Sequence, residues 1–286
     1  MRVLRIAAAC LALLLASCSA TEMAYNNADS LIRWQAGRYL DLKNSQAEEF
    51  NARLATFLVW HRSTALPRYA RLAGEAGTRL ERGASLADMV WGYDAIRQQA
   101  REGLRRAGAD TGNFLDRLTP AQIENLERRF AEDNAKFAGE WLEGTPEEQR
   151  TRRLKRLTHT LEDWLGELSD AQRERVRQFN EAAPLNAEMR DRERRRRQAE
   201  LLAMVRARES ARRLADWAAE WDRGREPAFA RANREFTDGL LAMLAGLERT
   251  LSPQQRALAV ARLREHARDF QLLASARVAQ GAPAAR

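Results

Sequence analysis

The chain has 286 residues, of which 45% are hydrophobic and 31% charged. That balance excludes a disordered chain and supports a sizeable packed core. With only two cysteines, Cys10 and Cys18, it also excludes a disulfide framework. The net charge is +8, and only three of the 48 basic residues are lysines (Lys43, Lys136 and Lys155). Such an arginine skew, alongside abundant alanine, reflects base composition as much as function, so no nucleic-acid partner is expected from the charge.

The first segment reads as a targeting signal. Arg2 and Arg5 precede an unbroken apolar run from Ile6 to Ala16. The run is too short to span a bilayer and suits a signal-peptide core. Leu15-Ala16-Ser17-Cys18 follows. It resembles the bacterial lipobox, which implies removal of residues 1–17 and lipidation of Cys18. A single acyl chain holds a protein to a membrane only marginally, whereas several chains make the anchor effectively permanent. Ser19 follows the cysteine in place of an aspartate. By similarity to the enterobacterial sorting rule, this implies the periplasmic face of the outer membrane. The membrane is thus one expected partner, through Cys18.

The remainder reads as all-α, built of antiparallel helical hairpins. Helices are expected over roughly 22–38, 43–64, 67–82, 86–107, 120–143, 146–167, 170–182, 184–223, 226–249 and 253–278. Apolar side chains recur at helical spacing in Ile123, Leu126, Phe130, Phe137 and Trp141, in Leu154, Leu157, Leu161, Trp164 and Leu168, and in Val260, Leu263, Ala267 and Phe270. Thr119-Pro-Ala-Gln122, Thr145-Pro-Glu-Glu148, Ser169-Asp-Ala-Gln172 and Ser252-Pro-Gln-Gln255 are capping boxes, and Ser85 to Asp88 is a weaker one. The glycine-containing stretch from Ala107 to Asn113 is a soft boundary. It divides the mature chain into subdomains 18–108 and 109–286, which could also form one continuous domain.

The helix from Pro184 loses its apolar pattern where Arg190-Asp-Arg-Glu-Arg194-Arg195-Arg196-Arg197 stands. A stretch that is polar all round is expected to project from the body or to bridge subdomains. Its arginines are candidates for anionic partners such as lipid headgroups or acidic clients. The opposing possibility is a solvated helix held by the pairs Glu188–Arg192 and Glu193–Arg197.

Leu-Ser/Thr-x-x-Gln recurs at Leu118–Gln122, Leu168–Gln172 and Leu251–Gln255, with a degenerate copy at Leu42–Gln46. It resembles the LTxxQ motif of the Spy and CpxP periplasmic proteins, which are all-helical, cradle-shaped chaperones. The same residues also make a capping box preceded by a hydrophobic staple. Tyr25-Asn-Asn-Ala-Asp29, Trp34, Tyr39-Leu-Asp-Leu42, Gln46, Trp60-His61-Arg62 and Leu66-Pro-x-Tyr69 resemble an uncharacterised family of proteobacterial lipoproteins with a domain of unknown function after a lipobox. That resemblance covers Cys18 to Tyr69 best and implies address and fold, with no assigned activity.

Trp60, His61, Arg62 and Tyr69 form the best candidate for a binding site, or else a cluster at the edge of the core. His159 and His266 lack metal-ligand spacing, and no metal or cofactor is implied. Glu209-Ser210 resembles the acid of all-α lytic transglycosylases, but the neighbouring segment of those enzymes is missing, and an arginine-rich setting would lower the carboxyl pKa. The expectation is a non-enzymatic structural or adaptor lipoprotein with an envelope protein as partner. The alternatives are an LTxxQ-like holdase for unfolded clients and, more distantly, a cell-wall hydrolase.

Overall fold

The computed structural model describes residues 20–275, and among them every regular element is helical. In chain order these are α1 (Ala20–Leu40), α2 (Asn44–Trp60), a π-helical segment (His61–Ala65), α3 (Leu66–Glu81), α4 (Leu86–Leu115), α5 (Pro120–Trp141), α6 (Pro146–Leu165), α7 (Asp170–Ala182), α8 (Ala187–Arg206), α9 (Ser210–Ala219), α10 (Pro227–Glu248) and α11 (Pro253–Ser275). The all-α reading therefore holds. The five capping boxes form as the sequence indicates. At α5, for example, the Gln122 amide donates to Thr119 Oγ1 while Gln122 Oε1 accepts from the Thr119 amide at 3.0 Å. Such caps satisfy amides that the helix itself leaves without acceptors.

Two apolar cores form among the described residues. The first gathers Phe114, Leu118, Ile123, Leu126, Leu202 and Val205, with Tyr39, Leu42, Phe50 and Phe130 packed against it. The second gathers Val176, Phe179, Ala183, Met243 and Leu247, with Leu154, Leu157, Leu161, Phe236 and Leu240. Burying each of the larger side chains stabilises the fold by roughly 1.5–3 kcal/mol. Most of the stripes read from the sequence thus turn inward.

Three elements differ from the sequence reading, each for a local reason. Helices 43–64 and 67–82 are not two arms of a hairpin. They form one continuous rod through the π segment, where the Leu66 amide bonds to His61 O, five residues back. Pro67 has no N–H to offer the carbonyl four residues earlier, and the wider turn absorbs the mismatch.

The second difference lies in the glycine stretch. α4 does not stop at 107 but runs through it to Leu115. Gly108 and Gly112 are one turn apart and face α9. A Cβ on Gly108 would stand 2.7 Å from Ala215 Cα, and one on Gly112 would stand 2.7 Å from Ser210 O. Bare backbone is what lets α4 and α9 cross this closely, with Ala211 and Ala215 opposite.

The third is the expected helix 184–223, which is broken. α8 ends at Arg206, and Arg208 takes a left-handed φ of +59°. The Glu209 amide bonds to Met204 O and the Arg208 amide to Val205 O, which is the Schellman closure with arginine where glycine is usual. Arg208 is held there by its guanidinium, which donates to Leu118 O at 2.8 Å and to Asp116 O. Asp116, at the end of α4, then caps α9 from outside. Its two oxygens accept from the Ser210 amide at 2.7 Å and the Ala211 amide at 3.0 Å. The chain reverses at 207–209 because the loop after α4 supplies both the anchor and the cap.

Candidate functional site

The four glutamines of the recurring motif meet in two pairs. Gln122 Nε2 donates to Gln46 Oε1 at 2.7 Å, and Gln46 Nε2 to Gln122 Oε1 at 3.2 Å. Gln172 Nε2 donates to Gln255 Oε1 at 2.9 Å, and Gln255 Nε2 to Gln172 Oε1 at 3.0 Å. Each pair also ties the turn preceding its partner motif. Gln122 reaches Asp41 O (3.2 Å), Gln172 reaches Thr250 O (3.0 Å) and Gln255 reaches Glu167 O (2.8 Å). Every one of those carbonyls belongs to the residue just before the motif leucine. Gln122 and Gln172 are buried, at 4% and 2% exposure. The motif is thus a reciprocal clasp between two helix starts, and its key side chains face each other instead of solvent.

Trp60, His61, Arg62 and Tyr69 come together around the π segment. His61 is the hub, with Tyr25 Oη 2.9 Å from its Nδ1. The rings of Tyr25, Phe57, Trp60 and Tyr69 lie 5.5–6.2 Å from the imidazole. Burial, and then the charge of Arg62, lower the His61 pKa, so the ring is neutral at physiological pH. Arg62 stacks 4.7 Å from the Tyr25 ring centre and donates to Leu273 O at 3.1 Å, tying α1 and α11 to the π segment. The aromatic contacts continue from Tyr69 to Phe270 (5.8 Å), His266 (6.3 Å) and Trp164 (5.7 Å). Tyr25, Phe270 and His266 did not appear among the candidates from sequence, because no local spacing links residue 25 to 61 or 69 to 270.

Beside Tyr69 an apolar groove of about 450 Å³ opens between α3, α4 and α11. Leu72, Ala73 and Ala76 line one wall, Ile96 and Ala100 another, and Leu263, His266 and Phe270 the third. Ile96 is 63% exposed, and Leu86, Val90 and Leu104 on the same helix are exposed too.

Arg194 to Arg197 are not a free basic face, and their helix does not project from the body. α8 packs on α5 and α9, with Leu202, Met204 and Val205 buried. Arg194 lies 4.5 Å over Phe137, and its Nη2 donates to Asn134 Oδ1 at 3.2 Å. Arg195 pairs with the buried Asp191 at 2.7 Å. Arg196 holds Glu193 (2.8 Å) and Glu200. Arg197 stacks 3.6 Å from the Trp217 ring centre and donates to Trp217 O at 2.6 Å. The expected pairs Glu188–Arg192 and Glu193–Arg197 give way to Arg192–Glu226 at 3.5 Å and the Glu193–Arg196 bridge. Neighbouring helices α5 and α9, and Glu226 just before α10, supply partners that helix periodicity cannot reveal.

Glu209 is exposed. Its hydrogen bond to Arg213, together with the charge of Arg212, holds its carboxyl below the usual range. A carboxylate so held is a poor proton donor. Among the described residues no group of three or more His, Cys, Asp or Glu is placed to hold a metal ion, and no helix is long and apolar enough to cross a membrane. Cys18 and the segment before it lie outside the described residues.

No curated protein and no solved structure matches the chain. One family model does, over residues 38–222, described as a family of unknown function (DUF6279). The match begins after Tyr25 and Trp34. It takes in the first glutamine pair, the π segment, the α4–α9 crossing and the arginine helix. Covering more than half of the 286 residues, it establishes that the chain belongs to this family of unknown function, DUF6279.

Proposed function

We propose that this protein is a lipoprotein anchored through Cys18 to the periplasmic face of the outer membrane, where it acts without catalysis as an adaptor for one envelope protein. The observation that carries the adaptor role is the apolar groove between α3, α4 and α11, with Ile96 exposed at its lip. Contiguous apolar surface of this kind marks a protein-binding face more often than a solvated one. The occupant we assign is an amphipathic helix of the partner, with acidic side chains flanking its apolar ridge. Arg71 and Arg268 are exposed on α3 and α11, two of the three helices that wall the groove, and the whole chain carries +8.

The anchor is tested by feeding cells labelled palmitate. The wild type takes up label and Cys18→Ser does not. Label in both would remove the anchor. The adaptor role is tested by a photo-crosslinker at Ile96 in the lipidated protein. One discrete, stoichiometric adduct, lost on Leu263→Asp, is the expected result. A smear of many adducts unaffected by Leu263→Asp would instead favour a holdase.

The holdase reading keeps the exposed stripe of Leu86, Val90, Ile96 and Leu104 in its favour. It gains nothing from the LTxxQ-like motif, whose glutamines are consumed in pairs. Suppression of a denatured client's aggregation, followed by light scattering at near-stoichiometric ratios, would support it.

A further inference from the structure

Trp141 floors a small cleft where the end of α5, the first half of α6 and the start of α8 meet. Arg152, Arg153, Arg156 and Arg190 stand around it with Gln149 and Asn186, and Glu140 is the one carboxylate in the lining. About 50 Å³ of the cleft admits solvent, enough for a few waters. That is the scale of a tetrahedral oxyanion and too small for a large organic ligand.

Two of the four guanidiniums are committed. Arg153 donates to Asn180 Oδ1 (2.8 Å), Pro184 O (2.9 Å) and Ala183 O (3.0 Å), and so fixes the loop into α8. Arg152 donates to Glu143 O. The other two are poised. Arg156 lies 4.0 Å from the Trp141 ring centre, and its only ion pair among the described residues is a long, exposed one to Glu140 at 3.4 Å. Arg190 lies 5.0 Å from the same ring and 5.5 Å from Phe137, and among the described residues no carboxylate is within 4.0 Å of it. Burial, with the charges of Arg194 and Arg156 behind it, lowers the Arg190 pKa. The cleft thus gathers more positive than negative charge, with the exposed Glu140 as the one carboxylate in its lining.

A second, independent feature converges on the cleft. α8 starts there, and its N-cap Asn186 makes no side-chain cap hydrogen bond, unlike the five boxed helices. The amides of a first helical turn carry partial positive charge and suit an anion, and here Glu188 is the one acidic residue in that turn.

We propose that the Trp141 cleft binds a phosphate group, clasped between the guanidiniums of Arg156 and Arg190 and seated on the N-terminus of α8. Planar guanidinium forks match phosphate oxygens, and the indole face holds both forks in place. The phosphate comes either from a phosphorylated lipid headgroup or from the free anion. This site is separate from the groove and does not rest on the adaptor reading.

The test follows thermal unfolding of the full chain in neutral detergent at constant ionic strength. The probes are inorganic phosphate and dihexanoyl phosphatidic acid, with sodium chloride as the reference. The expected result is a saturable rise in Tm, with binding weakened about tenfold or more in Arg190→Gln and in Arg156→Gln and unchanged in the exposed control Arg231→Gln. Tighter binding of the phosphatidate assigns the lipid source, and tighter binding of inorganic phosphate assigns the free anion. If Arg190→Gln fails to fold, Arg156→Gln decides alone, since Arg156 is 43% exposed. No saturable response to either probe, or a response that survives in both cleft variants, overturns the proposal.

Discussion

Gln46 and Gln122 each donate the side-chain amide to the other's carbonyl oxygen, at 3.2 and 2.7 Å, across 76 positions of sequence. Gln172 and Gln255 repeat the relationship across 83 positions. In both cases the glutamine oxygen also completes its own helix cap, so one side chain serves a local and a distant partner together.

Removing one member of a pair takes hydrogen bonds from the partner helix start. Gln172→Ala takes away the side-chain donor to Thr250 O and one of the two donors to Gln255 Oε1, which keeps the Ser252 amide, and should cost about 0.5–1.5 kcal/mol per lost hydrogen bond in urea unfolding. A double-mutant cycle with Gln255→Ala should show a coupling of about 0.5–3 kcal/mol. Strict additivity would mean that the two amides act independently.

The glycines of α4 should divide by position. Gly112→Ala forces a Cβ to 2.7 Å from the Ser210 carbonyl oxygen and should destabilise by about 1–3 kcal/mol. Gly103 on the same helix has nothing within 4 Å of the added atom. Gly103→Ala should therefore stabilise by about 0.4–1 kcal/mol through helix propensity and a less flexible unfolded chain. Chemical denaturation of the two variants side by side checks both signs.

Asp116 links an acid limb to the α9 cap. Burial pushes its pKa up, but hydrogen bonds from the Ala211 and Ser210 amides, with the charge of Arg208, outweigh this and leave it lowered. A folded pKa below the unfolded one contributes stability above the unfolded value of about 3.9, and loses it as pH falls through the folded value. Asp116→Ala should cost about 0.5–2 kcal/mol at neutral pH. Its stability should also fall less steeply than that of the wild type below about pH 4. An unchanged acid limb would detach Asp116 from it.

His61 acts in a higher window by the same sign. Its folded pKa is lowered by burial and Arg62, so stability is full above the unfolded value of about 6.5 and declines as pH drops below it. The Tm of the wild type should fall between about pH 7.5 and pH 5.5. His61→Phe keeps an aromatic ring, loses the Tyr25 hydrogen bond, and should show a smaller fall over that range.

What the sequence made legible was whatever is encoded within one turn of helix. The all-α class, the inward stripes and the five capping boxes rest on spacings of three and four residues, and they stand. What stayed hidden depended on partners far along the chain. Arg208 ends α8 because Asp116 O and Leu118 O hold it. Gly108 and Gly112 read as a boundary because their crossing partners, Ala211 and Ala215, are about a hundred positions away. Pro67 read as a break, yet a five-residue π turn carries the helix through it. The arginine run read as a free basic face because the rings of Phe137 and Trp217, which stack on Arg194 and Arg197, lie on other helices. For the candidate site, sequence supplied Trp60, His61, Arg62 and Tyr69, and the fold added Tyr25 and Phe270.

The glutamine clasps bear on the order in which the chain acquires structure. Synthesis runs from the N-terminus, so the Gln46–Gln122 clasp can close while most of the second core is still missing. Gln172 must wait until Gln255 emerges, with three further helices in between. Loops this long are closed at an entropic cost before any contact rewards them. Until then the Val176–Phe179 face has no Met243 or Leu247 to cover it. The interval before that second closure is when the nascent chain is most exposed to proteolysis and self-association.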